Sequence, residues 1–546
     1  MNLYIRRQLT ATLLIFVLVL AVFPAAVWAA NSETVDLEAI GQIRSEGYHN
    51  SQTMNILEEL TDRIGPRLTG SPALKQANEW TREKLAGWGL VNAHVEGYDF
   101  GRGWTNDFTS VRMIAPQTTM LFALPMAWSP STDGAVRGKA TTVVINSKDD
   151  LEKYRGKLAG MIVLLGEAKE LKPHMDADAV RYDGQKLDEI AQFSLGGRYP
   201  TRSREEMQKA FLLRREVAKF FAAEKVLAVI NPSFYDGEAI TMSGLEHSKD
   251  ANNSYPVLNM AAEHYGRIVR LLAGNVPVEL ELNVQNRFFD DDNKAYNTIA
   301  EIPGTDKKDE VVMIGGHLDS WHGGTGATDN ATGVAAAMEA VRILKALDLK
   351  PRRTIRIALW SGEEQGLLGS RAYVEQHLAA RPEPTDPKEK EIPSWMRQSK
   401  PGPLQFKPEY KNVVAYFNLD NGGGRLRGIY TQENTAVAPI FAAWLEPLKD
   451  LGCGTITQRN TGGTDHLSFD AVGVPGFQFI QDPLDYMSRT HHSTNDTYER
   501  VQREDLIQQA VVLASFAYEA AMRDQPLPRK ALARESVTGA AKAAAK

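Results

Sequence analysis

Apolar positions along this chain follow two spacings. From Glu33 to about Gly87 the spacing is largely helical: Ile56, Leu57 and Leu60 precede a Gly-Pro-rich turn, and Ala73–Ala86 sets its apolar side chains on one face, with Gly87 as the expected cap. Val95–Met113 reads as extended chain. Between 118 and 254 the pattern changes to short apolar runs, Thr141–Ile145, Met161–Leu165 and Val226–Asn231, which predict buried strands. A polar stretch from Lys169 to Thr201 interrupts them. Strand signals resume at Val278–Val284 without a linker, so 118–254 is expected to be a second domain inserted into the first.

From Asn297 onward strands and helices alternate. Val311–Gly315, Thr354–Trp360, Val413–Leu419 and Gly476–Ile480 predict strands, while Ala331–Leu347, the later part of Ser361–Leu378, Thr435–Leu448 and Arg503–Arg523 predict helices. This alternation predicts an α/β fold: a mixed sheet with a mostly parallel core, flanked by helices. Residues 381–410 carry many charges and prolines, Pro382, Pro384, Pro387 and Pro393 among them, and read as an inserted loop.

Composition narrows the class. A chain of 546 residues, 43% apolar and 24% charged, has material for two or three packed domains. With 62 Lys+Arg against 68 Asp+Glu it offers no basic surface for nucleic acid. A single cysteine, Cys453, excludes a disulfide-stapled module and reads as a small buried hydrophobe. Arg6 and Arg7, an apolar run from Ala11 to about Val22 and then Val27-Trp28-Ala29 predict a cleaved leader over 1–29, hence a secreted or periplasmic protein. The charge-free run Leu9–Ala30 is also long enough for an uncleaved anchor. No later apolar run reaches spanning length, so no membrane span is expected after cleavage.

Candidate chemistry clusters just beyond the predicted strands. His317 ends one of them and Asp319 follows two residues later, placed to orient the imidazole; Asp329 comes just before a helix. Glu363 and Glu364 follow the strand ending at Trp360, Asp420 follows the next, and His492 lies in the loop after the last. Taken singly, each has an ordinary structural reading. As a set, histidines and carboxylates recurring where such sheets place their ligands point to metal, because unpaired charge there is costly. Mixed nitrogen and oxygen donors suit zinc, and one carboxylate can bridge two ions. The Gly323–Gly326 turn lacks the lysine of a phosphate-binding loop.

The motifs carrying these residues are Gly316-His317-Leu318-Asp319-Ser320, Thr328-Asp329-Asn330-Ala331-Thr332-Gly333, Ser361-Gly362-Glu363-Glu364-Gln365-Gly366, Asn418-Leu419-Asp420 and His492-Ser493 with Asp496-Thr497. In these the chain resembles the M28 family of zinc metallopeptidases, near the branch of the aminopeptidases and plasma glutamate carboxypeptidase (carboxypeptidase Q). Arg63–Ser71 resembles the family's early segment. The resemblance implies the zinc exopeptidase fold and two Zn2+ ions. Asp329 would be shared by both ions, with His317 and Asp420 on one and Glu364 and His492 on the other. It implies Glu363 as general base and Asp319 as the carboxylate supporting His317. His491, where secreted aminopeptidases of the family often carry tyrosine, and His466, in Thr464-Asp465-His466, are candidates for substrate or oxyanion contact. The region 118–254 resembles a protease-associated domain. The organisation implied is a leader over 1–29, catalytic-domain parts over 30–117 and 255–529 with that insertion between them, the inserted loop 381–410, and a flexible tail over 530–546.

The resemblance implies hydrolysis of a terminal bond in a short peptide or dipeptide, with aminopeptidase action preferred. A carboxypeptidase Q-like dipeptidase or carboxypeptidase, a zinc acyltransferase or amidohydrolase resembling glutaminyl cyclase, and a non-catalytic binding protein on the same fold are the alternatives. Apolar helix faces serve cores and interfaces alike, so a homodimer stays open.

Overall fold

The computed structural model describes residues 33–192, 203–390, 392 and 402–532. The expected leader and residues 533–546 of the expected tail lie outside them. The apolar runs condense into two eight-stranded sheets.

The first sheet runs in the order Val91–Asp99, Lys294–Ile302, Arg353–Trp360, Lys307–His317, Val413–Asn418, Gly476–Gln481, Leu426–Tyr430, Thr455–Thr457. Its four central strands, Arg353–Trp360 through Gly476–Gln481, are mutually parallel, and antiparallel pairs flank them on both sides. The central strands are almost wholly buried, which explains why they read as continuous apolar runs rather than alternating ones. Helices Thr332–Ala346 and Arg503–Met522 pack on one face with Ile314, Ile357 and Phe417. Tyr373 from helix Leu368–His377 and Phe469 from helix His466–Asp470 pack on the other with Trp360 and Tyr416. The mixed sheet with a parallel centre and flanking helices is the architecture expected.

Two strands, Leu426–Tyr430 and Thr455–Thr457, were not expected: they are short and carry Arg427, Gly428 and two threonines, which blur the apolar signal. Gly87 is the last residue of helix Pro72–Gly87 and not its cap. The chain turns at Gly89, with φ +83°, where Leu90 N–H closes back on the Leu85 carbonyl.

The extended stretch Val95–Met113 is divided between the sheets. It breaks at Phe100–Arg102, where Gly101 takes φ +140° and the Phe100 and Gly101 N–H groups both donate to the Asn293 carbonyl. The second sheet runs Thr119–Leu121, Gly103–Ala115, Glu279–Phe289, Ala135–Val143, Ile162–Leu165, Ala228–Pro232, Val257–Met260, Ala123–Pro125. It has its own apolar cores, one including Ile162, Ile230 and Leu280, the other Val143, Val163 and Phe221. Its strands span Gly103 to Phe289, wider than 118–254, because the long antiparallel pair Gly103–Ala115 and Glu279–Phe289 belongs to it.

The segment 381–410 is drawn together at its base by the two-stranded pair Ala379–Ala380 and Gln405–Phe406. Lys530, where the flexible tail was expected to begin, is anchored: its ammonium bonds Asp470 and the Gln432 carbonyl. Cys453 is buried and free. Among the described residues no helix is long and apolar enough to cross a membrane.

Candidate active site

All the metal-binding candidates meet beyond the carboxyl ends of the four parallel strands. His317 is the last residue of its strand and is wholly buried. Its Nδ1 lies 2.9 Å from the carbonyl oxygen of Asp319. A carbonyl can only accept, so Nδ1 carries a proton and Nε2 is the ring nitrogen left for a metal. That nitrogen faces Asp329 Oδ1 at 3.2 Å and Asp420 Oδ1 at 3.3 Å. On the other side of Asp329, Oδ2 lies 3.3 Å from His492 Nε2, which is 2.8 Å from Glu364 Oε2. The two oxygens of one buried carboxylate thus address two separate sets of donors.

Asp329 is positioned by Asp496, whose Oδ2 accepts from the Asp329 N–H at 3.0 Å while its Oδ1 accepts from the Thr328 N–H and hydroxyl. The following helix starts hard against the Asp420 loop: a Cβ on Gly333 would stand 2.3 Å from the Leu419 carbonyl. Asn330 Nδ2 donates to that same carbonyl. Only glycine at 333 permits this approach.

Asp319 lies against His317 through two groups: its carbonyl accepts from Nδ1 at 2.9 Å, and its carboxylate stands 3.6 Å from the same nitrogen. The carboxylate accepts from Thr69 Oγ1 at 2.9 Å and, at longer range, from the N–H groups of Glu363 and Glu364. It therefore ties the Glu363-Glu364 turn to the His317 turn.

The chemistry of the donor set fits a metal. His317 Nε2, Asp329 Oδ2 and both carboxylate oxygens of Glu364 are buried and make no hydrogen bond of ordinary geometry, their nearest polar neighbours being one another and His492. Buried carboxylates left so are costly unless a cation neutralises them. Ligand atoms of His317, Asp329 and Asp420 converge within 4.8 Å of one another, and so do those of Asp329, His491 and His492. Two clusters of nitrogen and oxygen donors sharing one aspartate fit a pair of zinc ions.

The electrostatics of the protein groups alone are extreme. Burial disfavours protonation of His317, yet the Asp420 and Glu363 carboxylates outweigh it and raise the imidazole well above its ordinary value. Burial raises Glu363 well above the usual carboxylate range, opposed by His317 and reinforced by Asp420, Asp465 and Glu364. Asp496 is pushed up to about 7, by burial first and then by Asp329.

His491 stacks on His492, ring centroids 3.8 Å apart, and meets Tyr486 edge-on at 5.0 Å. His466 is fully buried, its Nε2 on the Thr461 carbonyl, and burial pushes its pKa down to about 4. Trp321 lines the cleft with Asp329, Glu364 and His492 and meets the His492 ring edge-on. Trp360 is core, its Nε1 donating to Tyr416. His322 donates to or accepts at no ligand; its Nε2 lies on the Pro125 carbonyl, so its hydrogen bond runs to the second sheet.

Arg67 is a residue whose role the motifs did not reveal. It is fully buried, and its guanidinium donates to the carbonyls of Leu318, Leu60, Gly65, Thr325 and Gly326 at 2.8–3.0 Å. It staples the His317 and Asp329 turns to the N-terminal helices. Arg67→Met is expected to destabilise the fold by about 3–5 kcal/mol, because five carbonyls lose their donor. Denaturant unfolding checks this; a loss below about 1 kcal/mol would show that water replaces the guanidinium there.

A parallel-centred sheet with two ligand clusters sharing an aspartate at its carboxyl edge defines a two-metal hydrolase. Residues 297–517 match the model of peptidase family M28, and the donor clusters are those of a zinc-dependent exopeptidase of M28 type. Carboxypeptidase Q of Mus musculus is 26% identical over 502 residues, 92% of each chain. A probable leucine aminopeptidase of Arthroderma otae is 26% identical over 233 residues, 41% of this chain and 57% of that one. The crystal structure of a peptidase M28 precursor from Shewanella amazonensis SB2B superposes with a TM-score of 0.64 at 25% identity, covering 90% of this chain and 99% of that one.

Proposed function

We propose that this protein is a secreted or periplasmic, carboxypeptidase Q-like exopeptidase that cleaves dipeptides or other short peptides. The observation that supports it is extent: the similarity to carboxypeptidase Q runs over both sheets, whereas that to the leucine aminopeptidase covers less than half of the chain. The motifs alone, confined to the first sheet, favoured an aminopeptidase. His491 before the last histidine points the same way as the whole-chain similarity. We read the second sheet as the protease-associated-like unit.

In this reading Asp329 would be shared by both ions, with His317 and Asp420 holding one and Glu364 and His492 the other. Zinc held there would supply an acidified water and a polarised scissile carbonyl. Glu363 takes the water's proton and returns it to the leaving amine. Asp319 holds the Glu363 backbone so that the carboxylate stays beside the His317 set. His491, packed on His492, is placed to stabilise the carbonyl oxygen as charge develops on it. His466 keeps the loop after Thr457 in shape and stays neutral.

Hydrolysis of short peptides with free, N-acetylated and C-amidated ends tests the assignment. C-amidation is expected to abolish zinc-dependent cleavage, with N-acetylation also blocking it for dipeptides. Cleavage that survives C-amidation and is lost only on N-acetylation would overturn the proposal in favour of an aminopeptidase.

A further inference from the structure

The loop carrying His492 is held from outside its own sheet. His492 takes φ +53°, a left-handed conformation that a histidine keeps only where its surroundings impose it. Those surroundings come from the chain between strands Ala228–Pro232 and Val257–Met260 of the second sheet. Tyr235, 6% exposed, donates its hydroxyl to the His491 carbonyl at 2.8 Å. Met242 N–H donates to the His492 carbonyl at 2.7 Å. Thr494 N–H donates to the Ile240 carbonyl, the Ile240 N–H donates to Thr494 Oγ1, and Thr241 bridges Ser493 in antiparallel fashion. The carbonyls on both sides of the His492 α-carbon are therefore fixed by the other sheet's excursion. The start of the loop is tied in the same way: Arg489 pairs with Asp236 at 2.9 Å and Asp178 at 2.8 Å.

We propose that this excursion is a working part of the second metal site, with Tyr235 as a positioning residue, so that zinc binding at the Asp329, Glu364 and His492 set is coupled to docking of residues 233–244. The inference rests on the reading of His492 as a ligand. Coupling of this kind is reciprocal: a metal that needs His492 in its left-handed conformation tightens the excursion, and loosening the excursion weakens the metal. It also gives the second sheet a role in the chemistry of the first.

The test uses the full chain, stripped of metal and titrated with Zn2+ against a competing chelator, as wild type, Tyr235→Phe and His492→Ala. Hydrogen exchange over 233–244 is followed with and without Zn2+. Tyr235→Phe keeps the buried ring and removes only the hydroxyl, so the expected result is a loss of about ten- to a hundredfold in affinity for one ion, the other unchanged. Zn2+ is expected to slow exchange over 233–244 in the wild type and to do so less in Tyr235→Phe. Wild-type affinity for both ions in Tyr235→Phe, with one ion lost in His492→Ala, would overturn the coupling and leave the ligand assignment standing. Equal weakening of both ions would also overturn it, since positioning of His492 acts on one. Retention of both ions by His492→Ala would remove the reading on which the inference rests.

Discussion

Replacement of Glu363 by glutamine is expected to lower kcat by about a thousandfold while both metals remain bound, a loss of about 4 kcal/mol of transition-state stabilisation. Glu363 follows the Arg353–Trp360 strand at the carboxyl edge of the sheet and is buried beside the His317 set. Glutamine has the same shape and fills the same space, so the Asp319 hydrogen bond to the backbone at 363 and the packing around it are kept. What it lacks is the ability to accept and return a proton. In the proposed arrangement Glu363 serves as base and not as ligand, so metal content is expected to stay at the wild-type value. Steady-state kinetics on a short peptide, paired with zinc analysis of the same preparation, checks both halves. A variant keeping more than about a tenth of wild-type kcat would take the base role from Glu363, because general-base contributions run at about a hundredfold or more.

Much of the first sheet was legible because buried parallel strands announce themselves as short continuous apolar runs. The residues at their ends could be found by counting onward from the last apolar position. His317, Glu363, Glu364 and Asp420 stand out in this way, whereas Asp329 and His492 lie well beyond their strands and the choice of the five ligand candidates comes from the family resemblance; the fold brings the five together. What the sequence hid is what depends on distant partners. The stretch Val95–Met113 reads as one extended run, and only the pairing of Gly103–Ala115 with Glu279–Phe289, far away in the chain, assigns its second half to another sheet. The spacing puts Asp319 beside His317 but does not reveal that its carbonyl, 2.9 Å from Nδ1, lies closer than its carboxylate, at 3.6 Å. Arg67 and Tyr235 act through backbone carbonyls, which leave no mark on residue spacing. Asp496 stood within a quoted motif, yet its function as the acceptor for the Thr328 and Asp329 N–H groups needs the loop geometry to be seen.

Asp329→Ala is expected to lose both ions at zinc concentrations that saturate the wild type, and with them essentially all turnover. The argument is geometric. Oδ1 of Asp329 belongs with His317 and Asp420, Oδ2 with His492 and Glu364, and the backbone N–H of Asp329 is fixed by Asp496, so neither oxygen is free to swing away from its set. Alanine removes a ligand from each set at once, leaving His317 and Asp420 on one side and Glu364 and His492 on the other, one protein donor short of the usual catalytic zinc set in each case. Asparagine retains one oxygen and supplies an amide in place of the other, so Asp329→Asn is expected to hold one ion and lose its partner. Zinc content measured after equilibration at a fixed free-zinc level distinguishes the cases. Retention of one ion at full affinity by Asp329→Ala would mean that the aspartate serves a single site. Because Glu363→Gln is expected to be inactive with both metals present and Asp329→Ala inactive without them, the two variants together separate the group that moves the proton from the group that joins the ions.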